Sequence, residues 1–180
     1  MKPIDSEETC GKYRSLVREM MLPDERLGDE FNLDWVRERG WEVVPVERAQ
    51  HFIPEEIITI VSALAQAEYA ECVAVATEPL DPLPACYGLS ISEDDFREFN
   101  KECGLFHYLL TDENRTWAIS CTDAYNLFAG PHELLEAMLG KSIKEAWQTY
   151  SDFIAQPSMD PNGLLHKAAN RYASLLNIHP

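Results

Sequence analysis

Apolar residues recur every three or four positions along much of this chain, and short apolar runs separate these stretches. Together with end signals, this spacing predicts helices over about residues 12–21, 32–40, 54–67, 92–103, 130–140, 142–154 and 161–176. Asn32 and Ser92 occupy N-cap positions, and Pro54 a first helical position. Gly40 and Gly140 follow the last helical turns, where glycine favours termination. The helical part of the pattern is therefore well delimited.

The apolar runs between the helices predict β-strands at 41–46, 72–77, 105–111, 115–121 and 124–129. Pro45 places the first at a sheet edge or a bulge, because proline cannot donate to a neighbouring strand. The central pair forms a hairpin around Asp112, Glu113 and Asn114. Apolar matching predicts a register in which Phe106 faces Cys121, Tyr108 faces Ile119 and Leu110 faces Trp117, with the other face half exposed.

These elements predict an α+β fold: a small, mostly antiparallel sheet built on the meander at 105–129, with helices packed over it. A length of 180 residues suits a single domain, 1–180. The N-terminal helical segment, about 1–40, is a candidate appendage to that domain.

No segment has the pattern of a membrane span or a secretion signal. The longest apolar run, residues 57–64, is interrupted by Thr59 and Ser62 and is far shorter than the ~20 residues that a span needs. The first eight residues are acidic and lack the apolar stretch of a signal peptide. The sequence therefore predicts a cytoplasmic protein without membrane contact.

The five cysteines are widely spaced, with no C-x-x-C pair; they are Cys10, Cys72, Cys86, Cys103 and Cys121. In a reducing compartment such residues are mostly small buried apolar groups. We predict no disulfide framework. Cys86, in a proline-rich loop, is expected to be the most exposed thiol, and nothing basic nearby would activate it.

Charge is the unusual feature of the composition. The formal net charge is −16, and residues 51–113 hold 13 acidic against 2 basic residues. A field of this sign repels nucleic-acid phosphates and attracts cationic surfaces. Direct nucleic-acid binding is therefore disfavoured, and a basic protein is the partner that the charge suits.

Five of those 13 acids fall in first helical turns, where the helix dipole explains them. The other eight form the predicted partner-binding face: Glu68, Glu71, Glu78, Asp81, Glu98, Glu102, Asp112 and Glu113. Plain solubility is the competing interpretation of such a surface.

Catalytic and cofactor signals are weak. His132 and Glu136 have the helical spacing of two ligands in the zinc motif H-E-x-x-H, but glutamate replaces the second histidine and no third ligand is evident. Glu133 is explained by its place in a first helical turn. We therefore predict no metal, with His132 and Glu136 as weak candidates. No glycine-rich phosphate loop is present, so no nucleotide cofactor is predicted.

Three functional hypotheses remain. The first is a non-enzymatic acidic binding protein, such as an immunity protein or inhibitor that blocks a cationic toxin. The second is a structural or regulatory subunit that forms homodimers. The third is a small metal-dependent hydrolase centred on His132. We rank them in that order.

Overall fold

The computed structural model describes residues 1–22, 30–47, 52–78, 84–122 and 124–175. Helices pack against a seven-stranded antiparallel sheet, which confirms the predicted α+β class. Within these ranges no helix has the length and apolar character needed to cross a membrane.

Seven α-helices lie in the described ranges. They are α1 (Glu7–Met20), α2 (Leu33–Glu38), α3 (Pro54–Gln66), α4 (Glu93–Cys103), α5 (His132–Leu139), α6 (Ile143–Ile154) and α7 (Leu164–Tyr172). Each predicted helix is present. The α1 helix begins earlier than predicted because the Ser6 hydroxyl accepts a hydrogen bond from the Thr9 amide. Gly140 ends α5 with a left-handed φ of 64°, a conformation that glycine adopts without a Cβ clash.

Nine strands lie in the same ranges. They are β1 (Lys2–Pro3), β2 (Met21–Leu22), β3 (Glu30–Phe31), β4 (Glu42–Glu47), β5 (Glu71–Ala76), β6 (Cys86–Ser90), β7 (Tyr108–Thr111), β8 (Ala118–Cys121) and β9 (Tyr125–Gly130). The main sheet has the order β1-β6-β5-β7-β8-β9-β4, and β2 pairs with β3 separately. The strand that contains Pro45 lies at one edge, as predicted.

The central hairpin has a different register from the predicted one. Tyr108 pairs with Cys121 and Leu110 with Ile119, a shift of two residues that leaves both pairs on the same face. All three predicted pairings, Phe106 with Cys121, Tyr108 with Ile119 and Leu110 with Trp117, are therefore wrong. A wider turn causes the shift, because the Asp112 carboxylate accepts hydrogen bonds from the amides of Asn114 and Thr116 at 2.9 and 2.6 Å.

Both faces of the sheet are covered, so the prediction of a half-exposed hairpin face is also wrong. On one face, Phe99 of α4 makes an edge contact with Tyr108, with ring centroids 5.6 Å apart. On the other, α1 contacts β5, and Val17 belongs to the same apolar core as Val75. Every residue of β7 and β8 is consequently buried.

Two of the five cysteines form a disulfide, which corrects the prediction of none. Cys10 of α1 is bonded to Cys86, whose side chain is fully buried in β6. The sequence reading missed β6 because three prolines precede it, and it therefore placed Cys86 in an exposed loop. Cys72, Cys103 and Cys121 are free and buried.

The N-terminal helical segment shares the core of the rest of the chain. Tyr13 and Met20 of α1 and Val36 of α2 lie in the same buried cluster as the sheet residues. The disulfide adds a covalent link between α1 and the sheet.

Candidate functional site

Part of the predicted acidic face gathers where β5 begins. Val73 of β5 pairs with Thr111 of β7 at the end of their ladder, so Glu71, just before Val73, and Glu113, just after Thr111, lie at the same end of the sheet. Glu68 lies just before β5 and is exposed, as are Glu71 and Glu113. Together with Asp112, these residues from separate segments form what we term the acidic end of the sheet.

Tyr13 of α1 lies against this acidic end. Its hydroxyl donates a hydrogen bond of 2.6 Å to a carboxylate oxygen of Glu113. The pKa of Tyr13 is raised to about 12. The hydrogen bond to Glu113 is the largest cause, and burial and the negative charges of Glu113 and Glu71 add to it. The same ring lies 5.9 Å from the Lys12 ammonium group. Tyr13 is only 9% exposed, so its ring belongs to the core and its hydroxyl holds the exposed Glu113 carboxylate in place.

Asp112 differs from the other three members because it is buried, at 6% exposure. Besides the hydrogen bonds from the Asn114 and Thr116 amides, its carboxylate accepts a hydrogen bond of 2.8 Å from the Thr116 hydroxyl. Its charge contributes to the local field, but its oxygens are already used by the turn.

The connection before β5 is fixed to that turn. Glu68 adopts a left-handed φ of 64°, and the next residue, Tyr69, shares a hydrogen bond of 2.7 Å with the Thr116 hydroxyl. The Tyr69 ring lies 6.1 Å from the ring of Trp117. Since α3 ends here, the partial negative charge of its C-terminus adds to the field of the acidic end.

Few positive charges balance this end within the described residues. Arg115, in the turn itself, forms an ion pair with Glu19 of α1. The local field therefore remains negative, and it is directed to solvent by Glu68, Glu71 and Glu113.

Three described members of the predicted acidic face lie away from the acidic end. Glu78 is half-buried beyond the other end of β5 and accepts the His107 amide at 3.0 Å. Glu98 pairs with the Met1 amino group at 2.9 Å, and Glu102 pairs with Lys101 at 3.0 Å. Asp81 lies outside the described residues.

The weak metal candidates form an ion-pair cluster instead. His132 Nδ1 lies 2.7 Å from a carboxylate oxygen of Glu42, and its Nε2 lies 3.6 Å from one of Glu136. Glu136 also accepts the Ile143 amide at 3.0 Å. The pKa of His132 is raised, mainly by the hydrogen bond to Glu42. Desolvation acts in the opposite direction, and the negative charges of the nearby glutamates add to the increase. In the described part of the chain, no three His, Cys, Asp or Glu side chains are arranged to hold a metal ion.

Glu42 is a partner that the sequence reading missed. Its side chain is 7% exposed at the start of β4, whereas that of His132 is 58% exposed. Pairing of Glu42 with Gly130 brings the start of α5 beside it. The only sequence signal was a single acid, at the second position of the otherwise apolar predicted strand 41–46.

The buried thiols are poorly suited to nucleophilic chemistry. Burial raises the pKa of Cys103 to about 11 and that of Cys72 further still. Both are therefore protonated at neutral pH, and the thiolate is the nucleophilic form.

Comparisons with protein-family models, with curated proteins and with solved structures find no significant match for this chain.

Proposed function

We propose that this chain is a non-enzymatic binding protein whose acidic end receives a basic protein partner, in the manner of an immunity protein or inhibitor. The observation that carries the proposal is that exposed Glu68, Glu71 and Glu113, from separate segments, lie at one end of the sheet, with Glu113 bonded to Tyr13. The fold concentrates acids from separate segments at one position, whereas a surface serving only solubility needs no such concentration.

The net charge of −16 supports the same proposal. A negative field of this size accelerates the approach of a cationic protein and repels nucleic acid. The hydroxyl of the buried Tyr13 holds the Glu113 carboxylate in place, so less side-chain entropy is lost when a lysine or arginine of the partner pairs with it.

The test uses native mass spectrometry of the protein isolated from its own cells at low salt. We expect a heteromeric mass containing a basic protein, and dissociation of that complex as salt rises. A homodimer without a second protein would instead support the self-association hypothesis. A monomer at every salt concentration would contradict the proposal.

Matched variants then locate the contact on the surface. Replacing Glu68, Glu71 and Glu113 by Gln should slow association about tenfold at low salt, because charges at an interface rim act mainly on the association rate. The control replaces three exposed acids elsewhere, Glu8, Glu38 and Glu133, and changes the net charge equally. An equal loss in both triple variants would show that only net charge matters.

A cytoplasmic location remains a prediction, and the Cys10–Cys86 disulfide weighs against it. Structural disulfides persist mainly in oxidising compartments and are uncommon in the cytosol. The test quenches intact cells with acid to stop thiol exchange, unfolds the protein in denaturant and then alkylates its free thiols. Five alkylated cysteines would support the reducing compartment, and three would support an oxidising one.

A further inference from the structure

A pocket of about 360 Å³ lies between β4, α3 and the α5–α6 connection. Its floor includes Phe128 and Met138, each 2% exposed, and Tyr150, which is 1% exposed. This volume is that of roughly a dozen water molecules in the liquid. Small-molecule sites have this form, a concave and mostly apolar cavity with a few polar groups at its edge.

Several polar groups around the cavity already have partners. The Thr59 and Thr149 hydroxyls donate to carbonyls of their own helices at 2.8 Å. The Tyr150 hydroxyl donates to the Leu165 carbonyl at 3.0 Å. These bonds use the hydroxyl protons, so the three hydroxyl groups contribute no free donor to the cavity.

The rim is exposed and negatively charged. Glu47 at the end of β4 and Glu55 in the first turn of α3 are exposed, and neither forms an ion pair with another described residue. Lys141 is the one cation among the described lining residues, against three carboxylates. Ile53 is 53% exposed at the same rim, an unusual place for a large apolar side chain.

This pocket is separate from the acidic end. Val73 near the acidic end connects to Val43 of β4 through successive strand pairings that pass through Ala118 of β8. Val43, and with it the start of β4, therefore lies at the same end of the sheet as the acidic end. Glu47, at the other end of β4, borders the pocket. The two sites therefore lie at opposite ends of the sheet and can be tested independently.

We propose that the pocket binds a small organic cation with an apolar body. The aryl or short alkyl part lies on Phe128 and Met138, and the ammonium group lies at the rim near Glu47 and Glu55. Burial of the apolar part supplies most of the affinity, and the carboxylates select the charge.

Three probes with a phenyl group and different charges test this: 2-phenylethylammonium, 2-phenylethanol and 3-phenylpropanoate. The readout is the Met138 methyl resonance of protein labelled with 13C at methionine methyl groups, with Met20 and Met21 as references. We expect saturable shifts at Met138, with the ammonium probe binding about three- to tenfold more tightly than the alcohol. The carboxylate probe should bind most weakly.

Two sets of variants complete the test. Replacing Glu47 and Glu55 by Gln should remove the preference for the ammonium probe and leave affinity for the alcohol unchanged. Replacing Glu8 and Glu38 by Gln changes the net charge equally and should preserve the preference for the ammonium probe. Thr149→Trp should occlude the cavity and abolish binding of all three probes, while unchanged Met20 and Met21 resonances confirm folding. Equal affinity for the three probes, absence of a saturable shift, or binding that persists in Thr149→Trp overturns the proposal.

Discussion

The Tyr13 hydroxyl donates a hydrogen bond of 2.6 Å to Glu113, a residue 100 positions further along the chain. This bond joins α1 to the turn between β7 and β8. It therefore connects the N-terminal helix to the acidic end of the sheet.

Removing the Tyr13 hydroxyl should lower stability modestly. Tyr13→Phe deletes the bond and keeps the ring, so we expect the free energy of unfolding in urea to fall by about 1 kcal/mol. Glu113→Gln is the matched change in the acceptor. Its amide oxygen can still accept the hydrogen bond from Tyr13, so this variant should lose less free energy of unfolding than Tyr13→Phe. An unchanged unfolding midpoint in Tyr13→Phe would contradict a contribution from this bond.

The same pair predicts a dependence of stability on alkaline pH. The pKa of Tyr13 is raised to about 12 from a reference value of 10.0. Because the folded-state pKa lies above the unfolded one, the stabilisation is complete below the unfolded value and is lost as pH rises through the folded value. Tyrosinate absorbance is titrated in the wild type and in Tyr13→Phe. The variant should lack one tyrosine that titrates near pH 12 in the wild type. Loss of a group near pH 10 instead would contradict the shift.

The pair of His132 and Glu42 predicts a second pH dependence, near neutrality. The pKa of His132 is raised above its reference value of 6.5, so its stabilising effect is complete below that value and decreases as pH rises through the folded-state pKa. An NMR titration of the imidazole should show a clear downward shift of this pKa in Glu42→Gln. Glu133→Gln is the control and should shift it less, because Glu133 acts only through its charge.

The Cys10–Cys86 disulfide should stabilise the fold substantially. It joins residues 76 positions apart, and loop entropy of that length corresponds to about 4.5 kcal/mol. Reductant should lower the Tm of the wild type, and the double variant Cys10→Ser/Cys86→Ser should have a low Tm that reductant does not change. A wild-type Tm insensitive to complete reduction would contradict this role.

Asp112 and Glu113 are adjacent acids with different expected effects. Asp112→Ala leaves the Asn114 and Thr116 amides and the Thr116 hydroxyl without their acceptor, so we expect a loss of about 2–3 kcal/mol. Glu113→Gln should cost less than half of that in the same denaturation experiment, yet it should slow binding of a basic partner. Equal costs for the two changes would contradict the structural role of Asp112.

The hairpin shows where prediction from sequence reached its limit. Alternation along β7 and β8 correctly assigned Tyr108, Leu110 and Ile119 to one face, because side chains alternate with a period of two. The pattern did not distinguish registers that differ by two residues, since both bury the same face. The Asp112 carboxylate resolved this ambiguity, through contacts that the alternation does not encode.

The sequence by itself determined the presence of the helices, the α+β class and the negative charge of the middle region, and it restricted Pro45 to a sheet edge or a bulge. These properties depend on local spacing, cap residues and composition, which act over a few neighbouring positions. Only the tertiary structure decided which acids lie together, that Cys10 meets Cys86, and that Glu42 lies beside His132. Each of these contacts joins residues far apart in the chain, so each depends on strand order and on helix packing against the sheet.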